Sequence, residues 1–430
     1  MVKHSPGEKI QITTKEGEVF EGIFIPSTDK NTFIIKLDNG YNIGIDIKKI
    51  KSTKRISAGK KLNVFPSLNI KQSEGLPSVS VIATGGTISS RVDYSTGGVT
   101  RLMEPGQIFS LAPEISKIVK IRKIEKPFMI ASENMDPDHW VKIAEETAKL
   151  LNSDDRGVLI THGTDTLHYT AAALSFMLKN LNKPVVLTYS QRSTDRGSTD
   201  TALNLKCSMH ALLSDVAEVM LVGHAEASDS FCYGLRGTKA RKMHTSMRNT
   251  FRPVNDKPLI KINGEGNISF ISHNYNKRKD AEKVEVDTAF EKKIALVKYY
   301  PGADPCILDY YIGKKYRGII IEATGLGHVA TDNAKKSWLP AIKKAVKKGI
   351  LICAVPQTLY GTLDPLVYDE GRKALEAGLL YLKDILPEVA YVKIGWVLGH
   401  TKNFEKAKEM MLMNYAHEFN DRITPDMFLF

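Results

Sequence analysis

The sequence contains little cysteine and no long apolar run. Its four cysteines in 430 residues form no C-x-x-C pair, which argues against a disulfide framework and against a zinc site built on paired cysteines. Buried free thiols are expected instead. No uninterrupted apolar segment approaches the roughly 18 residues of a membrane-spanning helix, and the first ten residues hold no apolar signal-peptide core. We therefore expect a cytoplasmic protein.

Acidic residues are also scarce relative to basic ones. The chain has 60 Lys and Arg against 48 Asp and Glu, a formal net charge of +12. Part of this excess is local, because no acid occurs between Lys48 and Lys61. Such a stretch can attract RNA phosphates, although a solvated face of a lysine-rich protein is the more ordinary interpretation. Contact with RNA through this stretch stays open.

The sequence pattern of the first part of the chain is typical of a small β-domain. Short β-rich runs occur between Glu8 and Ile56: IQITT, VFEGIFI, TFIIKL and YNIGIDI. Asp38-Asn39-Gly40 separates the last two runs and predicts a hairpin with a type I′ turn. We expect an SH3-like or Sm-like β-barrel over residues 1–56, serving docking rather than catalysis, and a linker over residues 57–77.

From Ser78 onward, strand and helix patterns alternate, which predicts a parallel sheet covered by helices. The predicted strands of this first α/β domain are Val79–Ala83, Gly157–Thr161, Pro184–Tyr189 and Ala217–Val222, and its predicted helices are Asp138–Leu151 and Leu167–Leu178. The domain is expected over residues 78–291, including an irregular connector. A second, smaller α/β domain is expected over residues 292–430, with strands Ile294–Tyr299, Gly318–Ala323 and Ile350–Val355 and a helix Leu339–Lys348.

Two strand ends carry threonine in a polar turn. Thr84-Gly85-Gly86-Thr87 follows one predicted strand, and Thr161-His162-Gly163-Thr164-Asp165 follows another. Ligands and catalytic groups gather at the carboxyl ends of strands in open α/β sheets. The glycine pattern fits neither the dinucleotide fingerprint nor the P-loop. A hydroxyl-nucleophile site, with Thr87 and Thr164 as candidates, is therefore favoured over a phosphate-binding site.

A threonine hydroxyl needs an activating group, because it is a poor nucleophile while protonated. Lys242, in the run RGTKARKMHTSMRNT, is the best basic candidate, and Asp165 could orient it. The amides of the Gly-Gly turn could form an oxyanion hole. His162 could also act as a base, but a histidine at a strand end is more often a structural hydrogen-bonding group.

Together, the motifs TGGTIS, THGTDT and RKMHTS resemble those of the type I/II asparaginase–glutaminase amidohydrolases. The resemblance runs from about Ser78 to His400 and implies a parallel-sheet amidohydrolase domain, a smaller α/β domain and an intimate dimer. It also implies three groups of site residues. These are a nucleophile with a lid tyrosine, a proton relay, and a pair that holds the substrate's α-carboxylate and α-amino groups: Thr87 and Tyr94; Thr164, Asp165 and Lys242; Ser132 and Glu133. A loop resembling Gly325–His328 would come from the neighbouring subunit, with His328 in place of the usual asparagine.

Two features distinguish this chain from ordinary asparaginases. In both, it resembles one branch of that family, the D subunits of archaeal glutamyl-tRNA(Gln) amidotransferases. Some 77 residues precede the first strand of the amidohydrolase domain, and Gln191–Leu205 is an extended polar form of a family signature. The branch implies glutamine hydrolysis, transfer of ammonia to an E subunit, and contact with tRNA(Gln) through the complex. It also implies ATP and magnesium at the partner, with no cofactor or metal in this chain.

Two other functions compete with this interpretation. A free-standing cytoplasmic L-asparaginase is the nearest, but asparagine hydrolysis needs no docking module at its N-terminus. An RNA-binding or scaffold protein with a degenerate amidohydrolase fold is disfavoured because the four candidate catalytic residues are all present: Thr87, Thr164, Asp165 and Lys242. The sequence does not choose the first nucleophile between the two threonines, and it does not give the route of ammonia.

Overall fold

A computed structural model describes residues 4–27, 29–58, 75–86, 88, 91–92, 99–100, 112–194, 196–279 and 282–429 of the chain. Its N-terminal domain is a five-stranded antiparallel sheet in the order β4-β3-β2-β1-β5, with β1 Lys9–Thr14, β2 Val19–Ile25, β3 Thr32–Lys36, β4 Asn42–Asp46 and β5 Ile50–Ser57. Alternate residues of β1 are buried, as expected for a strand with one face on a core. Ile10 and Ile12 pack there with Ile35, Ile45 and Ile50.

The hairpin between β3 and β4 differs from the predicted type I′ turn. Gly40 has a φ of +84°, but Asn39 is not among the described residues with positive φ, so the I′ prediction is wrong. Leu37 N–H donates to Tyr41 O at 2.8 Å, which closes a three-residue loop. The Asn39 side chain accepts from Tyr41 N–H at 3.2 Å. Only glycine therefore has to occupy the left-handed region.

The first α/β unit contains an eight-stranded sheet in the order β18-β17-β14-β13-β12-β10-β6-β9. Strands β13, β12, β10, β6 and β9 are parallel, and the other three extend one edge in antiparallel fashion. The strands from this part of the chain are β6 Ser78–Ala83, β7 Arg91–Val92, β8 Val99–Thr100, β9 Lys120–Glu125, β10 Val158–Thr161, β11 Leu178–Lys179, β12 Val185–Thr188, β13 Val219–His224, β14 Phe231–Arg236, β15 Ala240–Lys242, β16 Phe251–Pro253, β17 Ile260–Asn263, β18 Ile268–Phe270 and β19 Glu285–Val286.

The second α/β unit has a four-stranded parallel sheet, β20-β21-β22-β23, so the predicted α/β fold class is confirmed. Its strands are β20 Ile294–Lys298, β21 Gly318–Ala323, β22 Leu351–Pro356 and β23 Leu380–Tyr381. The described helices are α1 Pro137–Leu151, α2 Leu167–Met177, α3 Thr201–Leu212, α4 Cys306–Gly313, α5 Leu339–Lys347, α6 Asp369–Glu376, α7 Pro387–His400 and α8 Phe404–Leu412. Short 3-10 turns occur at Ile47–Lys49, Pro113–Lys117, Ser132–Asn134 and Pro425–Met427.

The two α/β units share one hydrophobic core. Helix α2 of the first unit and helix α7 of the second contribute to the same buried cluster, and the rings of Phe176 and Trp396 stack with centroids 5.9 Å apart. Lys239 Nζ donates to Asp384 Oδ2 at 2.8 Å, with both side chains 1% exposed. A buried pair of this kind strongly resists separation of its partners. The position of the segment around Lys239 thus depends on both units.

The cysteines are free, in agreement with their spacing, but not all of them are buried. Cys207, Cys232 and Cys353 lie in the interior, where burial raises the pKa of the Cys232 and Cys353 thiols. Cys306 at the start of α4 is exposed, so the expectation of burial is wrong for this residue. In the described part of the chain, no helix has the length and apolar character needed to cross a membrane.

Candidate active site

The site is formed where β6 and β10 end side by side. The two strands are parallel, with Ala83 paired to Thr161. Beyond this pair, Thr84 donates to Thr161 O through both its N–H and its hydroxyl, at 3.1 and 2.9 Å. Ile130 N–H donates to Thr84 O at 3.0 Å. Three loops are thereby brought together at the carboxyl edge of the sheet, where the sequence predicts the catalytic threonines.

Two glycines allow the threonine turns to touch. Gly86 has a φ of +80°, and a Cβ added to it would lie 2.2 Å from the Gly163 Cα. A Cβ on Gly163 would in turn lie 2.9 Å from the Ser132 hydroxyl oxygen. No side chain fits at either position without moving its neighbours. The Thr84–Gly86 and Thr161–Asp165 segments therefore meet backbone to backbone, with Ser132 directly beside them.

Lys242 joins the predicted relay. Strand β15 pairs with β16 and sets Lys242 opposite Phe251. From there, the lysine Nζ donates to Thr164 Oγ1 at 2.8 Å and to Asp165 Oδ1 at 2.7 Å. The side chain of Lys242 is 11% exposed, whereas that of Asp165 is 64% exposed. The lysine is thus held between a buried hydroxyl and a solvated carboxylate, within the range that proton transfer requires.

The predicted substrate-binding pair lies next to the relay. Ser132 and Glu133 are on the 3-10 turn Ser132–Asn134. Ser132 is 2% exposed, and its carbonyl oxygen accepts a hydrogen bond from the Thr166 hydroxyl at 2.6 Å. Glu133 is exposed. The turn therefore lies against the Thr161–Asp165 loop, beside the relay.

His162 is a structural residue of the same loop. Burial holds the pKa of its imidazole at about 4, so the ring is neutral at physiological pH. In the tautomer that satisfies both contacts, Nδ1–H donates to Gly163 O at 2.7 Å and Nε2 accepts from the Thr170 hydroxyl at 2.8 Å. Both ring nitrogens are therefore used in holding the turn, which supports the structural interpretation over the catalytic one.

Two predicted residues, Thr87 and Tyr94, lie outside the described part of the chain, so their roles stay predictions. Loop residue His328 is described: its ring contacts Tyr368 at a centroid distance of 5.4 Å. Its buried Nε2 has no hydrogen-bond partner within the described residues. A polar atom in that state usually has a function or an unseen partner.

A cavity of about 670 Å³ lies at the opposite end of the first sheet, at the start of β13. Glu218, Arg236 and Trp396 contribute to its wall. Arg236 is bound there by Glu218 at 2.5 Å and by Asp256 at 3.3 Å. The cavity is separated from the threonine turns by the length of the strands, so the volume of a pocket does not identify the reactive site here.

Sequence reasoning missed the supports of the relay. Gln191 Nε2 donates to Thr245 O at 2.9 Å, three residues beyond Lys242. The buried Asp200 carboxylate accepts from the backbone N–H groups of Gln191 and Arg192. Both supports belong to the Gln191–Leu205 segment. Its unusual polarity after a buried strand was the available signal, but it gave no individual roles.

Three family models match successive parts of the chain. The model for the GatD N-terminal domain matches residues 4–54, and the model described as "Asparaginase, N-terminal" matches residues 78–275. The model for the Glutaminase/Asparaginase C-terminal domain matches residues 293–411. The D subunit of the glutamyl-tRNA(Gln) amidotransferase of Pyrococcus furiosus is 48% identical over 433 residues, which cover 100% of this chain and 95% of that protein. The chain belongs to the family of these D subunits.

More distant members of this family of D subunits also align along nearly the full chain. The protein from Sulfurisphaera tokodaii is 41% identical over 98% of this chain and 93% of its own length. Among solved structures, the thermostable L-asparaginase from Thermococcus kodakarensis is 26% identical, with a TM-score of 0.71 over 80% of this chain and 100% of that one. The resemblance deduced from the motifs is confirmed for both the asparaginase family and its amidotransferase branch.

Proposed function

We propose that the chain hydrolyses glutamine and supplies ammonia to an E subunit, which uses ATP to convert Glu-tRNA(Gln) to Gln-tRNA(Gln). The observation that carries the proposal is the contact of Lys242 Nζ with Thr164 Oγ1 and Asp165 Oδ1. It forms an amidohydrolase relay in a chain whose relatives are named as D subunits of glutamyl-tRNA(Gln) amidotransferase. The ATP and magnesium of the reaction are assigned to the partner.

The reaction proceeds through an acyl-enzyme. A threonine Oγ, from Thr87 or Thr164, forms a bond to the glutamine side-chain carbonyl carbon while its proton passes to the relay. The carbon–nitrogen bond then breaks, the nitrogen takes up a proton, and ammonia leaves. Water attacks the resulting ester and releases glutamate. Lys242 accepts the threonine proton as an amine, becomes an ammonium that Asp165 binds at 2.7 Å, and then gives that proton to the leaving nitrogen.

Substrate selection is assigned to Ser132 and Glu133. The Glu133 carboxylate would pair with the α-ammonium group, because opposite charges form the stronger hydrogen bonds. Ser132 would donate its hydroxyl to the α-carboxylate. Tyr94 would close over the bound amino acid as part of a lid. Glutamine, the acyl-enzyme and glutamate all keep these two α-groups, whereas ammonia has neither, so the pair would hold the amino acid while ammonia leaves.

A second copy of the chain is expected to complete the site. Leu366, Val367 and Tyr368 are each 54% exposed and form a continuous apolar segment. Asp364 N–H, just before them, donates to Leu326 O at 3.2 Å in the Gly325–His328 loop. Exposed apolar patches of this kind are typical of protein interfaces. A homodimer would cover the segment and bring the orphaned Nε2 of His328 toward a neighbouring pocket.

The competing function, that of a free-standing L-asparaginase, does not account for the presence of the N-terminal domain. Residues 4–54 match the GatD N-terminal domain and lie outside both asparaginase-type matches. The basic residues of that domain do not decide the matter. Lys48, Lys49, Lys51 and Lys54 are exposed, so they are available to phosphates but equally suited to water.

The deciding experiment measures glutamine and asparagine hydrolysis by the full chain, alone and with the E subunit, Glu-tRNA(Gln) and ATP. Formation of Gln-tRNA(Gln) is followed in the same samples. We expect glutamine-dependent amidation in the complex and none when the E subunit is omitted. Rapid asparagine hydrolysis by the chain alone, unchanged by the partner or tRNA, would decide for the asparaginase.

A further inference from the structure

The N-terminal domain contacts a loop at the edge of the active site. Tyr41 follows the Asp38–Gly40 turn, and its hydroxyl is 2.5 Å from the hydroxyl of Ser198. Ser198 belongs to the loop that leaves the carboxyl end of β12 and leads into α3, of which residues 190–194 and 196–200 are described. The N-terminal domain is thereby hydrogen-bonded to a loop of the amidohydrolase sheet.

The same loop is organised around one buried carboxylate. Asp200 is 0% exposed and accepts from the backbone N–H of Gln191 at 2.9 and 3.1 Å and of Arg192 at 3.0 Å. It also accepts from the Ser190 hydroxyl at 3.1 Å and from the Asn204 amide at 3.2 Å. Several bonds to one buried carboxylate make the two ends of the loop move as a unit.

The loop then reaches the segment that carries the relay lysine. Gln191 Nε2 donates to Thr245 O at 2.9 Å. Residues 243–250 form a compact turn, because Met243 N–H donates to Thr250 O at 2.7 Å and the amides of Ser246 and Met247 donate to His244 Nδ1. Lys242 directly precedes this turn. A shift of the turn is therefore transmitted to the lysine that contacts Thr164.

The orientation of the Gln191 amide follows from its partner. Thr245 offers a carbonyl oxygen, which can only accept, so the NH₂ group must face it. The Gln191 Oε1 is buried and has no hydrogen-bond partner within the described residues. The side chain is thus retained at some cost, since a buried orphan acceptor is unfavourable. The hydrogen bond from its Nε2 to the turn after Lys242 offsets that cost.

We propose that Gln191 is a positioning residue for Lys242 and that the N-terminal domain holds it in place through Tyr41 and the 190–200 loop. The inference rests on the proposed glutaminase reaction. Lys242 must lie within hydrogen-bond distance of Thr164, and small displacements of a catalytic group cause large losses of rate. The N-terminal domain then influences hydrolysis without touching the substrate, so a partner docked on that domain can act on the relay.

The test uses the full chain in complex with the E subunit and compares Gln191→Met and Tyr41→Phe with wild type. Methionine keeps the length of glutamine but cannot donate to Thr245. We expect Gln191→Met to lower kcat about tenfold and Tyr41→Phe about threefold, with KM for glutamine within about twofold. The double variant should lose no more than Gln191→Met alone, because the two residues act along one connection.

Gln11→Met and Tyr310→Phe are matched controls. Gln11 bonds Glu21 on the surface of the N-terminal domain, and Tyr310 is 55% exposed on α4; both variants should keep wild-type kcat. If the two test substitutions acted only through a general loss of stability, the control substitutions would lower kcat to a similar extent. Alternatively, the kcat losses of Gln191→Met and Tyr41→Phe would multiply in the double variant. A wild-type kcat in Gln191→Met, or losses that multiply in the double variant, would overturn the proposal.

A crystal structure of Gln191→Met separates this proposal from the proposed reaction. We expect Lys242 Nζ to move beyond 3.5 Å from Thr164 Oγ1, compared with 2.8 Å here. An unchanged distance overturns the positioning role. If wild type hydrolyses no glutamine under any condition, the proposed reaction fails, while the lysine position in the variant still decides the structural claim.

Discussion

Lys242 is the residue on which the proposed chemistry most depends. Lys242→Met removes the group that bonds both Thr164 and Asp165, and Thr164→Val removes the hydroxyl with little change of shape. We expect each to lower glutamine hydrolysis by about a thousandfold or more, because relay members act as a unit. Thermal unfolding should show that both variants stay folded. Rates within about twofold of wild type in the complex would exclude the relay.

His162 makes a prediction about pH at the same scale. Its folded pKa of about 4 lies below the ordinary value of 6.5, so at intermediate pH the unfolded chain binds a proton that the folded chain does not. The stability contribution of neutral His162 is complete above about pH 6.5 and declines as pH falls toward 4, by about 3 kcal/mol in all. Chemical denaturation from pH 7.5 to 4 measures this slope.

His162→Asn is the matching control for that measurement. It keeps hydrogen-bonding groups in the loop but cannot titrate, so its stability should fall less steeply between pH 6.5 and 4. A slope identical to that of wild type would assign the pH dependence to other groups.

Single residues were predictable where a motif identified them. Thr164 and Asp165 lie in the polar turn after strand β10, and the run RGTKARKMHTSMRNT identifies Lys242 among 60 Lys and Arg residues. Gln191 was not assigned, because its role depends on a contact with a carbonyl 54 positions away. No local pattern encodes which backbone oxygen an amide side chain will meet.

Among the elements, the turn at Gly86 sets the tightest steric condition. Gly86→Ala would place a methyl group 2.2 Å from the Gly163 Cα as well as straining a φ of +80°. Gly17→Ala is the control, since Gly17 has a φ of +91° but nothing within 4 Å of its Cβ position. We expect a cost of about 1 kcal/mol for Gly17→Ala. Gly86→Ala should cost more and abolish hydrolysis, as measured by unfolding and by assay.

The Arg122–Asp155 pair ties edge strand β9 to the loop before β10. Arg122 donates to both carboxylate oxygens at 2.8 and 2.5 Å, and Ser80 of β6 donates to one of them. Burial opposes ionisation, but the bonds from Arg122 and Ser80 outweigh it and lower the Asp155 pKa. Its stability contribution is therefore complete above about pH 4 and is lost as pH falls through the depressed folded pKa.

Asp155→Asn should destabilise the protein by about 1–2 kcal/mol near neutral pH, because the charge-assisted bonds that the buried carboxylate accepts from Arg122 and Ser80 become weaker neutral ones. The control is Asp138→Asn, whose carboxylate is 67% exposed and pairs with an exposed Lys292; it should change stability by less than about 0.5 kcal/mol. Equal changes in the free energy of unfolding for the two substitutions would show that the Arg122–Asp155 pair stabilises the fold no more than the exposed Asp138–Lys292 pair does.

Helices and strands with a clear hydrophobic periodicity were predicted closely, whereas turns were not. The sequence predicted a helix over Leu167–Leu178, and the helix spans Leu167–Met177. The Asp38–Gly40 turn was assigned the wrong type, since the Asn39 side chain stabilises a longer loop. Strand β9 was not predicted at all: its sequence, KIRKIE, has exposed charges that obscure its pairing with β6.

At the scale of the whole molecule, a coupled glutaminase should be slow alone. Hydrolysis without an acceptor would consume glutamine to no effect, and in our proposal the relay is connected to the N-terminal domain through Gln191, Ser198 and Tyr41. We expect weak basal hydrolysis and at least about tenfold stimulation by the E subunit with Glu-tRNA(Gln), seen mainly in kcat. Steady-state assays at saturating glutamine test this, and an unstimulated chain would contradict it.

The shared core of the two α/β units limits how the gene can be divided. Separate expression of residues 1–291 and 292–430 would leave the Lys239 ammonium and the Asp384 carboxylate, now 1% exposed, without their counter-charges. The Thr238 hydroxyl would likewise lose Ala416 O as its acceptor. Each fragment would thus expose apolar surface together with a charged group whose ion-pair partner lies in the other fragment. Complementation between co-expressed fragments should therefore require association before either one becomes resistant to proteolysis.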